Sequence, residues 1–171
     1  MPLQTKEIEL ASEIDRLEQR RRDLAEQAAA LADDNPKRGE LVQEGNEIDT
    51  YLQGLNWALE EWETETVTVS GLTGGEFGRV EDSVVSSAAE RGEQPGGGAT
   101  RVYLVASGTV EAPYVGDEMT EEQRIGAVSQ LPITFLKWAE YRIDELTTMG
   151  NSVETSFNAL LAETQTESDD A

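Results

Sequence analysis

LQTKEIELASEIDRLEQRRRDLAEQAAAL, residues 3–31, is the most informative stretch for the fold, because leucine recurs there at every seventh position. A seven-residue apolar repeat keeps one seam of a helix facing a partner helix. The second set of seam positions is weaker, since Ile14 and Ala28 are apolar but Glu7 and Arg21 are charged. The pattern predicts a coiled-coil helix beside a partner helix, and an amphipathic hairpin that packs only within its own chain is the alternative. The leucines that define the seam are Leu3, Leu10, Leu17, Leu24 and Leu31.

The partner helix is predicted in the segment that follows. Residues 33–39 (DDNPKRG) are a cluster of turn formers, and Pro36 cannot continue a helix. Gly45 and Gly54 each lower helix propensity by up to about 1 kcal/mol, and they can permit close contact between helices. Residues 1–63 are therefore predicted to form an antiparallel αα-hairpin. The seven-residue spacing resumes at Leu41, Ile48, Leu55 and Trp62.

Residues 64–162 predict a mainly helical domain with one or two short strands. Alternating small polar and β-branched residues predict a strand near 65–70. A capping box of Thr73 with Glu76 predicts a helix from about residue 75 to 90, and Thr120 caps a second helix that starts at residue 121. The fold class expected for the whole chain is mainly α, with the hairpin followed by this small domain.

The C-terminal half of the chain adds further helices and one open question. Pro132 begins a helix with Phe135, Leu136, Ala139, Ile143 and Leu146 on its buried face. Residues 91–98 predict a flexible loop, and residues 99–110 fit either a strand or a buried helix, because their length cannot decide between the two. A short amphipathic helix is predicted for residues 153–161, and residues 163–171 are predicted to be a disordered acidic tail.

The composition restricts the classes of protein to consider. The chain of 171 residues carries 35 acidic and only 13 basic residues, for a net charge of −22. Such an excess of carboxylates is typical of a high-salt cytoplasm, where molar salt shortens the Debye length to about 3 Å, and it predicts salt-dependent folding. The same charge argues against nucleic acid, whose binding needs cationic side chains. A membrane role is not expected either, since no run of 18 apolar residues and no signal-peptide core occurs.

The sequence shows no pattern of catalysis. The chain contains neither histidine nor cysteine, which removes the commonest general base, thiolate chemistry and the usual catalytic zinc site. Pairs such as Glu60 with Glu61 follow from the acidic composition, and the glycines of residues 71–78 lack the Lys-Ser/Thr pair of a phosphate-binding loop. We therefore expect no catalytic residue, no metal ligand and no cofactor.

Three segments resemble tail assembly chaperones of tailed viruses. Residues 67–77 (VTVSGLTGGEF) look like the strand–turn–helix opening of that family, in which Leu-Thr-x-x-Glu-Phe/Tyr begins a helix. Residues 105–113 (VASGTVEAP) resemble a turn of the family. Leu131-Pro132 and the helix through residue 147 match a further pattern of regularly spaced apolar residues. With the acidic composition, the resemblance implies a tailed virus, or an integrated provirus, of a halophilic (haloarchaeal) host.

The resemblance implies a non-enzymatic protein that binds the tape-measure protein, the tail-tube protein or both during morphogenesis in the host cytoplasm. Apolar anchors packed helix-in-groove are the expected mode of binding. The alternative is a structural component of the virion (neck, tail or baseplate) that forms a homo-oligomer through its coiled-coil arm, and a host adaptor is a third class. For each anchor, a place in the hairpin's own core is the competing explanation. The candidate partner-binding residues are Leu17, Leu24, Leu52, Trp57, Leu59 and Trp62.

Overall fold

The chain folds into a mainly helical structure with one small antiparallel sheet. A computed structural model describes residues 3–149. Within them, the strands are β1 (Thr5–Glu9), β2 (Thr66–Ser70) and β3 (Thr109–Glu111), in the sheet order β1-β2-β3. The helices are α1 (Leu10–Ala29), α2 (Pro36–Glu61), α3 (Gly74–Glu90), α4 (Gly97–Gly108), α5 (Glu121–Val128) and α6 (Ile133–Met149).

The N-terminus differs from the expectation that the first helix starts at Leu3. Residues Thr5–Glu9 form β1, which pairs antiparallel with β2, and the helix begins only at Leu10. The segment alternates around one apolar residue, Ile8, and this side chain is buried opposite Val67. Two leucines seven residues apart are compatible with either conformation, so the contacts of β1 with a distant strand decide it.

Helices α1 and α2 are in contact, and residues of the predicted seam on both helices are buried. Three seam leucines of α1 and their counterparts on α2 are buried, and Asn35 caps α2 by accepting a hydrogen bond from the Lys37 N–H at 3.0 Å. Pro36 therefore starts a helix, at the one position where its missing N–H costs nothing. The buried seam residues are Leu10, Leu17, Leu24, Leu41, Ile48 and Leu55.

A third helix, α6, lies against α2 and runs antiparallel to it. Gly54 on α2 meets the backbone of Thr134 and Phe135, and Tyr51 stacks on Tyr141 with ring centroids 5.1 Å apart. A Cβ at Gly54 would lie 2.4 Å from the Phe135 nitrogen, so only glycine allows this approach. The predicted close contact is confirmed at Gly54, whereas at Gly45 no neighbouring helix among the described residues comes within 4 Å of a Cβ built there.

The end of β2 is attached to the C-terminal half of α6. The backbone N–H of Leu72 donates a hydrogen bond of 2.9 Å to Oγ1 of Thr147. A Cβ at Gly71 would lie 2.7 Å from the carbonyl carbon of Leu146, so the turn and the helix are in direct backbone contact. These contacts join the sheet to the layer formed by α1, α2 and α6.

The predicted helix starts are confirmed in the second half of the chain. Thr73 with Glu76 and Thr120 with Gln123 both form complete capping boxes, at the first residues of α3 and α5. The five residues predicted to face the core from α6 are all buried. The question over residues 99–110 resolves as helix α4 followed directly by β3. The predicted helix at 153–161 and the predicted disordered tail at 163–171 lie outside the described residues.

Candidate partner-binding surface

Three of the candidate partner-binding residues lie inside the core. The exposed fractions are 2% for Leu17, 1% for Leu24 and 6% for Leu52. A partner could contact these side chains only if α1 and α2 separated. In this conformation they belong to the core, which was the competing explanation for each of them. Their role in partner binding stays a prediction.

The other three candidates are half-buried at the C-terminal end of α2. The rings of Trp57 and Trp62 make an edge-to-face contact at 5.4 Å, and Trp62 makes a second one with Phe135 at 5.0 Å. Leu59 is also half-buried and packs against the core. The tryptophans are therefore only partly accessible, because each uses part of its surface on Phe135 of α6. We call Trp57, Leu59 and Trp62 the tryptophan patch.

The tryptophan patch belongs to an aromatic cluster that reaches α6. Both tryptophans contact Phe135 on this helix. Tyr114, from the loop after β3, lies 5.6 Å from the Trp62 ring and completes the aromatic cluster. Aromatic side chains that are half-exposed around a buried centre have the composition typical of protein interfaces.

A cavity of about 350 Å³ opens between α2, α4 and α6, beside the stacked Tyr51 and Tyr141. Its walls carry both signs of charge, including the ion pair of Arg101 with Glu140. Burial and the neighbouring charge of Glu140 raise the pKa of Asp144 in this wall. Because cations and carboxylates are both present, the cavity shows no preference for a ligand of one charge.

A charged network that the sequence did not reveal ties α1 to α6. The carboxylate of Glu13 accepts two hydrogen bonds of 2.9 Å from Arg16 and one of 3.1 Å from Nε1 of Trp138. Nε of Arg142 lies 3.6 Å from the same carboxylate, and Arg142 also donates a hydrogen bond to Glu145. The side chains of Glu13 and Arg142 are each only 4% exposed.

The environment of Glu13 keeps it ionised. Burial raises its pKa, but the hydrogen bonds of Arg16, the charge of Arg142 and the hydrogen bond of Trp138 together outweigh burial, so the pKa is lowered. The lowered pKa keeps this buried carboxylate charged near neutral pH, where it accepts hydrogen bonds from both α1 and α6. The network therefore holds two helices together. Its one signal in the sequence was a glutamate within the apolar stripe formed by Leu10, Ile14 and Leu17.

The described residues show no metal centre, since among residues 3–149 no three carboxylates converge closely enough to hold an ion. Within the same range, no helix combines the length and the apolar character needed to cross a bilayer.

Comparison with known proteins adds no relative. No protein-family model, no curated protein and no solved structure matches the chain. The resemblance to tail assembly chaperones therefore rests on the three sequence segments and is carried forward as a proposal.

Proposed function

We propose that the chain is a non-enzymatic assembly protein of a tailed virus or provirus with a halophilic host, and that it binds tape-measure or tail-tube protein. The observation that carries the proposal is a contact between two segments of the resemblance. Residues 67–77 and the helix after Pro132 are far apart in the sequence, yet Leu72 bonds to Thr147 and Gly71 touches Leu146. If these segments form one structural unit in the family, they should also be in contact with each other in this chain. Their contact here supports the resemblance.

The hairpin of α1 and α2 is proposed to act as a coiled-coil arm of this protein. Buried residues recur seven apart on both helices. Two half-exposed ion pairs join the helices, Arg20 with Glu44 at 2.8 Å beside the leucine seam and Arg21 with Asp49 at 2.6 Å at a weak seam position. Charged pairs beside an apolar seam are the arrangement that fixes the register of paired helices.

The partner is proposed to contact the tryptophan patch. Its residues keep part of their surface accessible, whereas Leu17, Leu24 and Leu52 do not. A helical segment of a tail protein with apolar anchors would extend the cluster already formed by Trp57, Trp62 and Phe135. The acidic surface elsewhere would keep the complex dispersed in a high-salt cytoplasm.

The experiment is an affinity pull-down in molar KCl from cells that express the tail genes, with bound proteins identified by mass spectrometry. Recovery of tape-measure or tail-tube protein by the full chain is the expected result. Leu59→Asp should abolish this recovery. Val42→Asp should retain it, because Val42 is 49% exposed on the same helix but lies about 25 Å away along the axis. Circular dichroism of both variants checks that they are folded.

Two results would contradict the proposal. Recovery of only copies of the chain itself, or of neck and capsid proteins, would favour the structural component of the virion. If both variants are folded and lose the tail proteins equally, the tryptophan patch is not the binding surface.

A further inference from the structure

The free edge of β1 is the feature that carries an inference beyond tail assembly. Strand β1 lies at one edge of the sheet, with β2 on its inner side only. Four of its five residues are exposed, and Ile8 alone is buried. An open edge offers main-chain donors and acceptors in a row, and an extended segment of another chain can pair with them.

The hydrogen bonds at the two ends of the ladder show which residues present these groups. The Leu10 N–H donates to the Glu65 carbonyl at 2.8 Å, and the Gly71 N–H donates to the Gln4 carbonyl at 3.4 Å. In an antiparallel pair, residues bonded to the neighbouring strand alternate with residues that are not. The main-chain groups of the even-numbered residues therefore face β2. Thr5 and Glu7 turn both N–H and C=O to the free edge, whereas Glu9 turns only its N–H there, because its C=O accepts the first hydrogen bond of α1 as the N-cap residue. Within residues 3–149, no backbone hydrogen bond outside the sheet reaches these groups.

The same residues place carboxylates beside the open groups. Glu7 and Glu9 lie on the outer face of the sheet, opposite Thr68 and Thr66 on β2. Neither has a salt bridge within the described part of the chain, although Ser12 donates a hydrogen bond of 2.8 Å to Glu9. An incoming strand therefore meets two unpaired negative charges, separated by the apolar Ile8 on the other face.

Charge disfavours a second copy of the chain as the occupant. Two free β1 edges that pair antiparallel must match odd-numbered residues with odd-numbered residues, since only those present main-chain groups. In the registers with the longest overlap, Glu7 is opposite Glu7 or Glu9 of the second copy. In the remaining register, Thr5 of one copy is opposite Glu7 of the other, and fewer residues pair. Like charges placed directly opposite destabilise a strand pair, and opposite charges stabilise it.

We propose that the free edge of β1 binds an extended, basic segment of a partner protein by strand addition. The register defines its chemistry, with Lys or Arg opposite Glu7 and Glu9 and a small apolar residue opposite Ile8. The partner strand thus reads basic–apolar–basic at consecutive positions. This interaction does not depend on the tail-assembly role, since it follows from β1 alone and lies on a different element from the tryptophan patch.

The test uses the full chain, in KCl at which circular dichroism shows it folded, and hydrogen exchange read residue by residue by NMR. The probe is a nine-residue peptide of alternating lysine and valine, and its control has the same composition with the lysines in one block. In the free chain, the N–H groups of Thr5, Glu7 and Glu9 should exchange faster than those of Lys6 and Ile8, by about tenfold or more. The alternating peptide should slow the fast set by at least about tenfold, and the block peptide should not.

Two sets of variants separate strand addition from general attraction between opposite charges. Glu7→Pro removes an outward N–H without touching the bonds to β2, which an edge strand tolerates, and it should abolish binding. Glu7→Arg with Glu9→Arg should weaken binding by about tenfold or more. Glu81→Arg with Glu90→Arg, the same charge change on exposed positions of α3, should change it by no more than about twofold.

Several results would overturn the proposal. Slow exchange of Thr5, Glu7 and Glu9 in the free chain would show that the edge is already paired. Equal binding of both peptides, or full binding by Glu7→Pro, would reduce the interaction to charge alone. Failure here leaves the pull-down of tail proteins through the tryptophan patch unaffected, so the two proposals fail separately.

Discussion

Replacing Gly54 by alanine inserts one methyl group where α2 meets the backbone of α6. The new Cβ would lie 2.4 Å from the nitrogen and 2.5 Å from the Cα of Phe135, whereas ordinary contact starts at 3.4 Å. Helix α6 must therefore retreat by about 1 Å (3.4 minus 2.4). The atoms that obstruct the methyl group belong to the backbone, so no side-chain rotation can relieve the clash.

The expected cost follows from two opposing terms. Forcing an extra carbon into a packed interface costs about 1–3 kcal/mol, and a backbone obstruction belongs at the upper end. Alanine returns up to about 1 kcal/mol through its higher helix propensity. We expect Gly54→Ala to lower the free energy of unfolding by about 1–2 kcal/mol.

Gly45 supplies the matched control on the same helix. Apart from the glycine's own stretch of helix, no atom of residues 3–149 lies within 4 Å of a Cβ built there, so only the propensity term acts. Gly45→Ala should raise the free energy of unfolding by about 0.5–1 kcal/mol. The two variants should then differ by about 2 kcal/mol, or roughly 4–8 °C in melting temperature.

The assay is urea unfolding at constant molar KCl, followed by circular dichroism. Equal shifts for the two alanine variants would refute the argument, because they would mean that α6 does not press on Gly54. A stabilised Gly54→Ala would refute it more strongly.

Three further predictions concern the buried charge, a helix cap and salt. Glu13→Leu should lower the free energy of unfolding by about 3 kcal/mol, since Arg142 stays buried without this carboxylate. The folded-state pKa of Glu13 is lowered, so its carboxylate stabilises the fold above the ordinary value of 4.5, and this stabilisation is lost as the pH falls through the folded-state pKa. Glu13→Gln should therefore lose less stability than the natural chain between about pH 5 and pH 3. Urea titrations at each pH measure the difference. Thr73→Ala should lower stability by about 1 kcal/mol through loss of the capping box, against no more than about 0.5 kcal/mol for the exposed Thr64→Ala in the same assay. The melting temperature should rise between about 0.1 M and molar KCl. An unchanged melting temperature over this range would contradict the predicted adaptation to high salt.

The parts of the fold that sequence predicted are those governed by local chemistry. The capping box predicted at Thr73 and the cap predicted at Thr120 depend on residues within three positions, so their signal is complete within one turn. The buried face of α6 follows from apolar spacing alone. Likewise, turn formers around Pro36 predicted the break between the first two helices, although Pro36 itself begins α2.

The parts that sequence missed depend on distant contacts. Strand β1 exists because it pairs with β2 about 60 residues later, and no pattern within residues 3–10 contains that information. Gly45 and Gly54 are indistinguishable in sequence, and only the position of α6 makes one of them indispensable. For the candidate surface, the periodicity that identified Leu17, Leu24 and Leu52 predicts equally well a core and a docking groove, so spacing could not tell which side chains stay accessible.

The Glu13 network has a consequence for synthesis of the chain. Trp138, which donates to this carboxylate, is added 125 positions later. At about 5–20 residues per second, the ribosome needs roughly 6–25 s to cover that interval. Until then the Glu13 carboxylate on the nascent α1 has no hydrogen-bond donor from α6. The end of the helix near Leu10 and Ile14 therefore stays exposed to water. Closure of this end therefore follows translation of α6, and the first helix made is among the last to finish packing.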